Sequence, residues 1–522
     1  MSSHRFATDP DVVRFLPWLI AALYAGFFFN LGGFPLFDLD EGAFGSATME
    51  MLARRDFVST WLYGEPRYDK PILIYWLQAA SVTLLGLNEI GLRLPSAIAA
   101  TLWMLLIAAF GRRVLDARTG IVAAILAATS IEVAILGRAA IADALLNLCI
   151  AGAMFALFLY YRERRVRWLY AAAAAIGFGM LTKGPVALLI PLAVSFLFHA
   201  IKGEWRLWLR TALHPGAIAL VIAIVLPWYV AQYLREGPAF IEGFIFRHNL
   251  GRFSAPMEGH GGGPWFYLPV ALLGVLPYTA LLIGTLAAVR QWFRDDLQLW
   301  LLLWFAFVFV FFSLAATKLP HYLLYGMTPL FLLMAIHRDR VANRFWLFLP
   351  PLLLFLLLLF LPQLVDLALP YLRDEFVQAQ LADHHAVFGH GYQVYFALAA
   401  MLCMACMFWR RLPRLLSLFA AGLLTAVGVA GHLAPSFGAI QQVPVRDAAY
   451  VVRALDEPAV MWRLNMPTFN IYSGRIVEKR EPQVGEIAVT KVTSRRRLGE
   501  HEVLYESRGI LLVRITGPLR ER

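Results

Sequence analysis

Two short polar segments carry the residue types that could do chemistry. Asp38, Asp40 and Glu41 sit in FDLDEG, and Asp69, Lys70 and Pro71 sit in RYDKP. Both follow directly on the first apolar run of a chain that is 60% hydrophobic and only 16% charged. A carboxylate at such a place can deprotonate an alcohol or orient a sugar. A lysine offers a compact positive charge suited to a phosphate. Pro71 suits the first position of a helix, which would set Lys70 at a positive dipole end. Structural roles compete with these. Acids favour a helix N-terminus, so the D-x-D-E run also reads as a cap for a helix over 43–53. Lys70 can likewise snorkel to an interface beside Asp69.

Other polar groups recur at the ends of apolar runs. Asp143 opens the run ADALLNLC, with Arg138 close enough in sequence to be its partner. An unpaired acid slipping into lipid costs a few kcal/mol, so a partner is expected. Lys183 lies in the tight LTKGP turn. The loop 232–263 holds Arg247, His248 and Arg252, then Glu258 and His260 among glycines. Lys318, His321 and Tyr322 start a later run; a cation and a phenol there bind diffuse anionic charge or simply anchor an interface. Asp383, His384, His385 and His390 match no standard zinc spacing. Cys149, Cys403 and Cys406 lie inside apolar runs and read as small residues of membrane helices.

The elements that must position these groups are membrane spans. A span needs roughly 20 apolar residues, and the chain offers about thirteen such runs. The segment 71–87 decides the topology. If it spans, Arg112, Arg113 and Arg118 and the arginines at 162–167 fall outside. If it lies in the interface, every arginine-rich loop falls in the cytoplasm, as the positive-inside rule requires. An interfacial helix is therefore expected at 71–87, and the polar motifs share the outer face. The C-terminus then lies outside too. The expected division is a transmembrane unit over 1–432, with a first periplasmic loop over 32–90, and a small periplasmic α/β unit over 433–522. Within the latter, a helix over 445–455 and strands over 459–464, 486–492 and 510–515 are predicted. The excess of 46 Lys and Arg over 35 Asp and Glu is a topology signal, and nucleic acid is not an expected partner.

Taken in order, D-E after the first span, D-K-P before an aromatic helix, G-R-x4-A-D, L-T-K-G-P, R-H-N-L-G-R-F and K-L-P-H-Y-L-L resemble bacterial integral-membrane glycosyltransferases. The resemblance, over about residues 15–335, is to the GT-C fold group that contains protein O-mannosyltransferase-like and lipid A aminoarabinose transferases. It implies an inverting transfer from a polyprenyl (undecaprenyl) phosphate sugar to a lipid A-like glycolipid, on the periplasmic face of the bacterial inner membrane. It implies Asp40, Glu41 and Asp143 as catalytic acids. It implies Lys70, Arg252, His248, Lys318 and Tyr322 at the donor phosphate, and Asp69, Lys183 and Arg138 at the sugar or acceptor. Asp69 stands where the aminoarabinose enzymes usually carry Glu. No cofactor is required on this reading, and a divalent cation is compatible with it. A protein acceptor is the first alternative. A transporter or flippase of a lipid-linked anion is the second, and it should place charge at the bilayer midplane on broken helices.

Overall fold

The computed structural model describes residues 10–251 and 261–520. Arg252, expected at the donor phosphate, and the Glu258–His260 stretch lie outside the described residues. Among the described residues, seven helices are long and apolar enough to cross a membrane, nine if two bent pairs each count as one span. Four shorter apolar helices accompany them. In lipid the backbone must satisfy its own hydrogen bonds, which is why these runs are helical throughout.

The first half of the chain builds the site. Helix α1 (Pro10–Leu23) precedes α2 (Asp40–Arg54), a two-residue hairpin of β1 (Trp61–Leu62) and β2 (Glu65–Pro66), and α3 (Leu73–Leu85). Then follow α4 (Glu89–Val114), α5 (Ala117–Ala128), α6 (Ile131–Leu136), α7 (Asp143–Glu163), α8 (Val166–Lys183), α9 (Val186–Ile201), α10 (Trp205–Ala212) and α11 (Pro215–Glu236). The caps are legible in the chain: the side chains of Asn88 and Asp116 accept from the Gly91 and Thr119 backbone N–H groups, starting α4 and α5. His214 and Pro215 start α11 in the same way.

Helix α3 has 13 residues. At 1.5 Å per residue it reaches about 20 Å, short of the ~30 Å hydrocarbon core. It begins at Leu73, so Pro71 precedes the helix and does not open it. Its buried face includes Gln78, which accepts from Thr48 Oγ1 at 2.8 Å and donates to the Ala140 carbonyl at 3.1 Å. One buried amide thus ties α3 to α2 and to the 137–142 turn.

The buried ion pair between Arg93 of α4 and Glu41 of α2 fixes the entry to α2. Arg93 Nε and Nη2 reach Glu41 Oε1 and Oε2, both at 2.7 Å, and its remaining N–H groups take the carbonyls of Leu31, Phe34 and Pro35. Glu41 also accepts from the Phe37 and Ala140 N–H groups at 2.8 Å. Burial pushes the Glu41 pKa up, but Arg93 and these N–H groups hold it below the ordinary value.

The C-terminal residues form a four-stranded sheet in the order β3 (Ala459–Met461), β4 (Ile487–Lys491), β6 (Ile510–Ile515), β5 (His501–Ser507). β3 and β4 are parallel and the other pairs antiparallel. Helix Val443–Leu455 packs on this sheet, and the fully buried helix Thr468–Ser473 docks on α2. The approach is close: a Cβ at Gly42 would stand 2.9 Å from the Thr468 backbone nitrogen. Asn470 Nδ2 donates to Ser46 Oγ at 3.1 Å, and the Tyr472 hydroxyl donates to Glu89 Oε1 at 2.9 Å while accepting from the Leu36 N–H at 2.8 Å.

Candidate active site

Asp69 is the hub of one basic cluster. Lys70 Nζ lies 2.8 Å from its Oδ1, Arg67 Nη2 lies 3.1 Å from its Oδ2, and His248 Nδ1 lies 3.3 Å from its Oδ1. Arg67 Nη1 meanwhile donates to the Ala43 carbonyl of α2 and to the Tyr75 hydroxyl of α3. Arg67 therefore clamps two helices while it orients the carboxylate. The loop is held further by α11: Tyr68 and Ser59 both donate to Glu236, and Arg235 pairs with Asp56 at 2.6 Å.

Asp143 anchors a second cluster. Lys183 Nζ contacts its Oδ1 and Oδ2 at 2.8 and 3.0 Å, and the Tyr325 hydroxyl donates to Oδ1 at 2.8 Å. The lysine arrives there because α8 ends at Gly184, whose φ of +79° suits glycine. A Cβ at Gly184 would stand 2.6 Å from the Phe244 ring, so the turn is also closed by packing. A lysine has three N–H donors, and Asp143 takes two. His321 lies within electrostatic reach of Asp143, Lys183, Asp40 and Lys70.

Asp40 is the first residue of α2 and is exposed. Among the described residues its side chain makes no hydrogen bond, so it is not the cap the D-x-D-E spacing suggests. Asp38 has a different environment. Its carboxylate accepts from the Thr468 backbone N–H at 3.0 Å and from Thr468 Oγ1 at 2.5 Å. Burial pushes its pKa up to about 7 in spite of those two donors, with Glu41 adding to the rise.

Two cavities flank these groups and share no lining residue. The larger, about 480 Å³, has an apolar wall that includes Val186, Leu189, Ile245 and Phe311 and a polar end of Asp69, Lys70, Lys183, His248, Tyr322 and Tyr325. The smaller, about 210 Å³, is lined by Phe34, Phe37, Asp40, Glu41, Ile135 and Arg138 among others.

Three expected site residues spend their polar groups on the fold, though Arg138 and Glu41 still line the smaller cavity. Lys318 Nζ is consumed by the Ser313 and Ala315 carbonyls at 2.8 and 2.7 Å, capping the helix Asp296–Leu314, and it lines neither cavity. Arg138 is not the partner of Asp143: its guanidinium donates to the carbonyls of Ala25, Gly26, Phe29 and Ala134. Those four carbonyls lie at the distorted end of α1 and the end of α6, where helix termini leave acceptors unsatisfied. Glu41 has its oxygens filled by Arg93 and two N–H groups, which suits holding Asp40 rather than reacting. Arg67, Arg93 and Tyr325 were not expected in the site. Arg93 carried a signal, a lone charge in the run GLRLPSAIAA; Arg67 and Tyr325 are ordinary in sequence and are found only through their partners. The histidines considered as metal ligands lie apart from both cavities, where His385 Nε2 meets Asp366 Oδ2 at 2.9 Å and His384 stands beside them.

The fold superposes on the crystal structure of ArnT from Cupriavidus metallidurans bound to undecaprenyl phosphate, with a TM-score of 0.83 at 19% identity, over 97% of this chain and 99% of that one. The chain is thus a multi-pass membrane protein of the GT-C fold. In sequence it is similar to the undecaprenyl phosphate-alpha-4-amino-4-deoxy-L-arabinose arabinosyl transferase of Aeromonas hydrophila, 31% identical over 58% of this chain and 56% of that protein. The enzyme of the same name from Pseudomonas aeruginosa is 31% identical over 62% of this chain and 61% of its own length. The match therefore spans little more than half of these relatives. A family model described as dolichyl-phosphate-mannose-protein mannosyltransferase matches residues 69–230.

Proposed function

We propose that the protein is an inverting glycosyltransferase that moves a sugar from an undecaprenyl phosphate donor to a lipid A-like glycolipid, at the periplasmic face of the inner membrane. The observation that carries this reading is the larger cavity, where an apolar wall leads into a polar end bearing Lys70, Lys183 and His248. A prenyl chain fits the wall, and its phosphate then meets the lysines at headgroup depth. Lys70 and Lys183 stabilise the charge that develops on the leaving phosphate as the sugar–oxygen bond breaks. Both are pre-set by carboxylates, so little reorganisation accompanies the reaction. Asp40 faces the smaller cavity, which takes the acceptor. It removes the proton of an alcohol acceptor; a phosphate acceptor is already anionic, and Asp40 then orients it. Asp143 holds Lys183, and Glu41 and Arg93 hold the start of α2. Arg252 belongs to the same reading as a further phosphate ligand. The distribution of charge favours an enzyme over a transporter, because the ionised groups gather at helix ends beside one pair of cavities.

The test is transfer by the purified protein from undecaprenyl phosphate-linked aminoarabinose, with lipid A and an acceptor peptide offered separately. Labelled lipid A with an unlabelled peptide is the expected result. Labelled peptide would move the acceptor to protein, and neither product would overturn the reading. Mass spectrometry of outer-membrane lipid A from a deletion strain checks the same acceptor in the cell.

A further inference from the structure

On the arginine-rich face, away from the proposed reaction, four arginines from different chain segments converge on a cavity of about 190 Å³. Arg14 comes from α1, Arg118 from α5, Arg338 from the turn after helix Met327–Ile336, and Arg414 from the start of helix Arg414–Gly428. Apolar side chains, among them Phe15 and Leu418, line the rest. Asp339 is the one carboxylate in the lining, and it serves two arginines, at 3.1 Å from Arg414 Nη2 and 3.8 Å from Arg338 Nε. Arg14 and Arg118 have no carboxylate partner among the described residues. Both stand over the Phe15 ring, 5.6 and 5.7 Å from its centroid, so two like charges share one small aromatic surface. The Nε atoms of Arg118 and Arg338 are buried and make no hydrogen bond among the described residues.

Such an arrangement is costly without an anion. Like charges held together repel, and buried N–H groups without acceptors forfeit their hydration. Arginine is suited to phosphate because its planar fork meets two oxygens at once. The cavity lies where helix ends meet the interface, and the positive-inside rule assigns this face to the cytoplasm. Basic pockets between spans on that side match anionic lipid headgroups. The apolar part of the lining fits the first carbons of acyl chains.

We propose that this cavity is a structural binding site for an anionic phospholipid of the cytoplasmic leaflet, with a two-phosphate headgroup such as cardiolipin the best match to four arginines against one carboxylate. The bound lipid ties α1 and α5 to the Arg338 turn and the helix that begins at Arg414.

The experiment uses the full-length protein, delipidated in detergent, with thermal unfolding followed as cardiolipin, phosphatidylcholine or inorganic phosphate is added. Cardiolipin should raise the midpoint, and the other two should not. An Arg118→Gln/Arg338→Gln variant should need about 25-fold more cardiolipin for the same gain, taking about fivefold per arginine near a lipid surface. An Arg206→Gln/Arg210→Gln control, on the exposed face of α10, should respond as the wild type does. Equal responses from the two variants would overturn the site in favour of generic surface attraction. A gain from inorganic phosphate equal to that from cardiolipin would overturn the lipid in favour of a free anion. Should the double variant fail to fold, Arg14→Gln replaces it, since Arg14 is exposed and makes no ion pair among the described residues; about fivefold weaker cardiolipin stabilisation supports the site, and none overturns it.

Discussion

Two acids of the candidate site differ in what they do for the fold, and mutation should separate them. Asp143 is 2% exposed and pairs with Lys183. Lys183→Met leaves that carboxylate buried with one side-chain hydrogen bond among the described residues, from the Tyr325 hydroxyl, and losing one partner of a buried pair costs about 3–5 kcal/mol. The expected outcome is a clear fall in unfolding midpoint together with loss of transfer. Adding Asp143→Asn should restore much of the midpoint and none of the activity, because the phosphate still lacks its cation. Asp40 is the opposite case, exposed and without a side-chain hydrogen bond among the described residues. Asp40→Asn should leave stability within about 0.5 kcal/mol and slow transfer to an alcohol acceptor by about 10²–10⁴. A loss under tenfold would reduce Asp40 to orientation. At this scale the chain was partly legible. Asp69, Lys70, Asp143, Lys183, His248 and Tyr322 stood out as charge or phenol at the ends of apolar runs, and they do converge. Arg138 and Lys318 stood out for the same reason, yet they satisfy orphaned carbonyls at helix ends. Sequence shows that a cation sits at a membrane edge; only geometry shows whether backbone or cavity claims it.

The element that matters most is α2, because it carries Asp40 between two fixed ends. One side is the Arg93–Glu41 pair and the other is Asp38 against Thr468. Arg93→Met should strip five hydrogen bonds from the α2 entry and destabilise the protein by about 3–5 kcal/mol. Asp38 gives a pH signature of definite sign. Its folded pKa, about 7, lies above the ordinary aspartate value of about 4, so the folded state binds the extra proton between those values. Stability should therefore be greatest at the acid end of that window and fall as pH rises through about 7. Chemical denaturation at pH 5, 6, 7 and 8 checks this, and Asp38→Asn should flatten the slope. Residues 71–87 were legible as a helix too short to span, and α3 is a helix of 13 residues within that stretch. Its start was misplaced by two residues, since Pro71 suits a helix start without requiring one. The strands at 459, 487 and 510 follow apolar runs, whereas β5 alternates polar residues (HEVLYES) on a half-exposed edge and gave no such signal.

Over the whole molecule, the site is braced from both ends of the chain. The segment near residue 40 is held by side chains more than 400 positions away, through Thr468 on Asp38 and Asn470 on Ser46. No local pattern announces such a contact, because each partner alone is a common polar residue in a loop or short helix. If Asp40 acts as proposed, this arrangement joins the C-terminal unit to the framework that positions it. If it only shielded the membrane unit, weakening the contact would change expression or stability alone. If it positions Asp40, the rate itself should respond. Thr468→Val deletes the hydroxyl donor and keeps the backbone N–H bond to Asp38. Removing one hydrogen bond to a charged or half-charged group costs about 1.5–3 kcal/mol at most, which leaves a folded protein to assay. Transfer should fall about tenfold in kcat with KM for the polyprenyl donor unchanged, since the donor cavity lies on other residues. Thr468→Ser, which retains the hydroxyl, should restore the rate. An unchanged kcat in Thr468→Val, or a KM effect alone, would reduce the contact to a scaffold and return the positioning of α2 to Arg93.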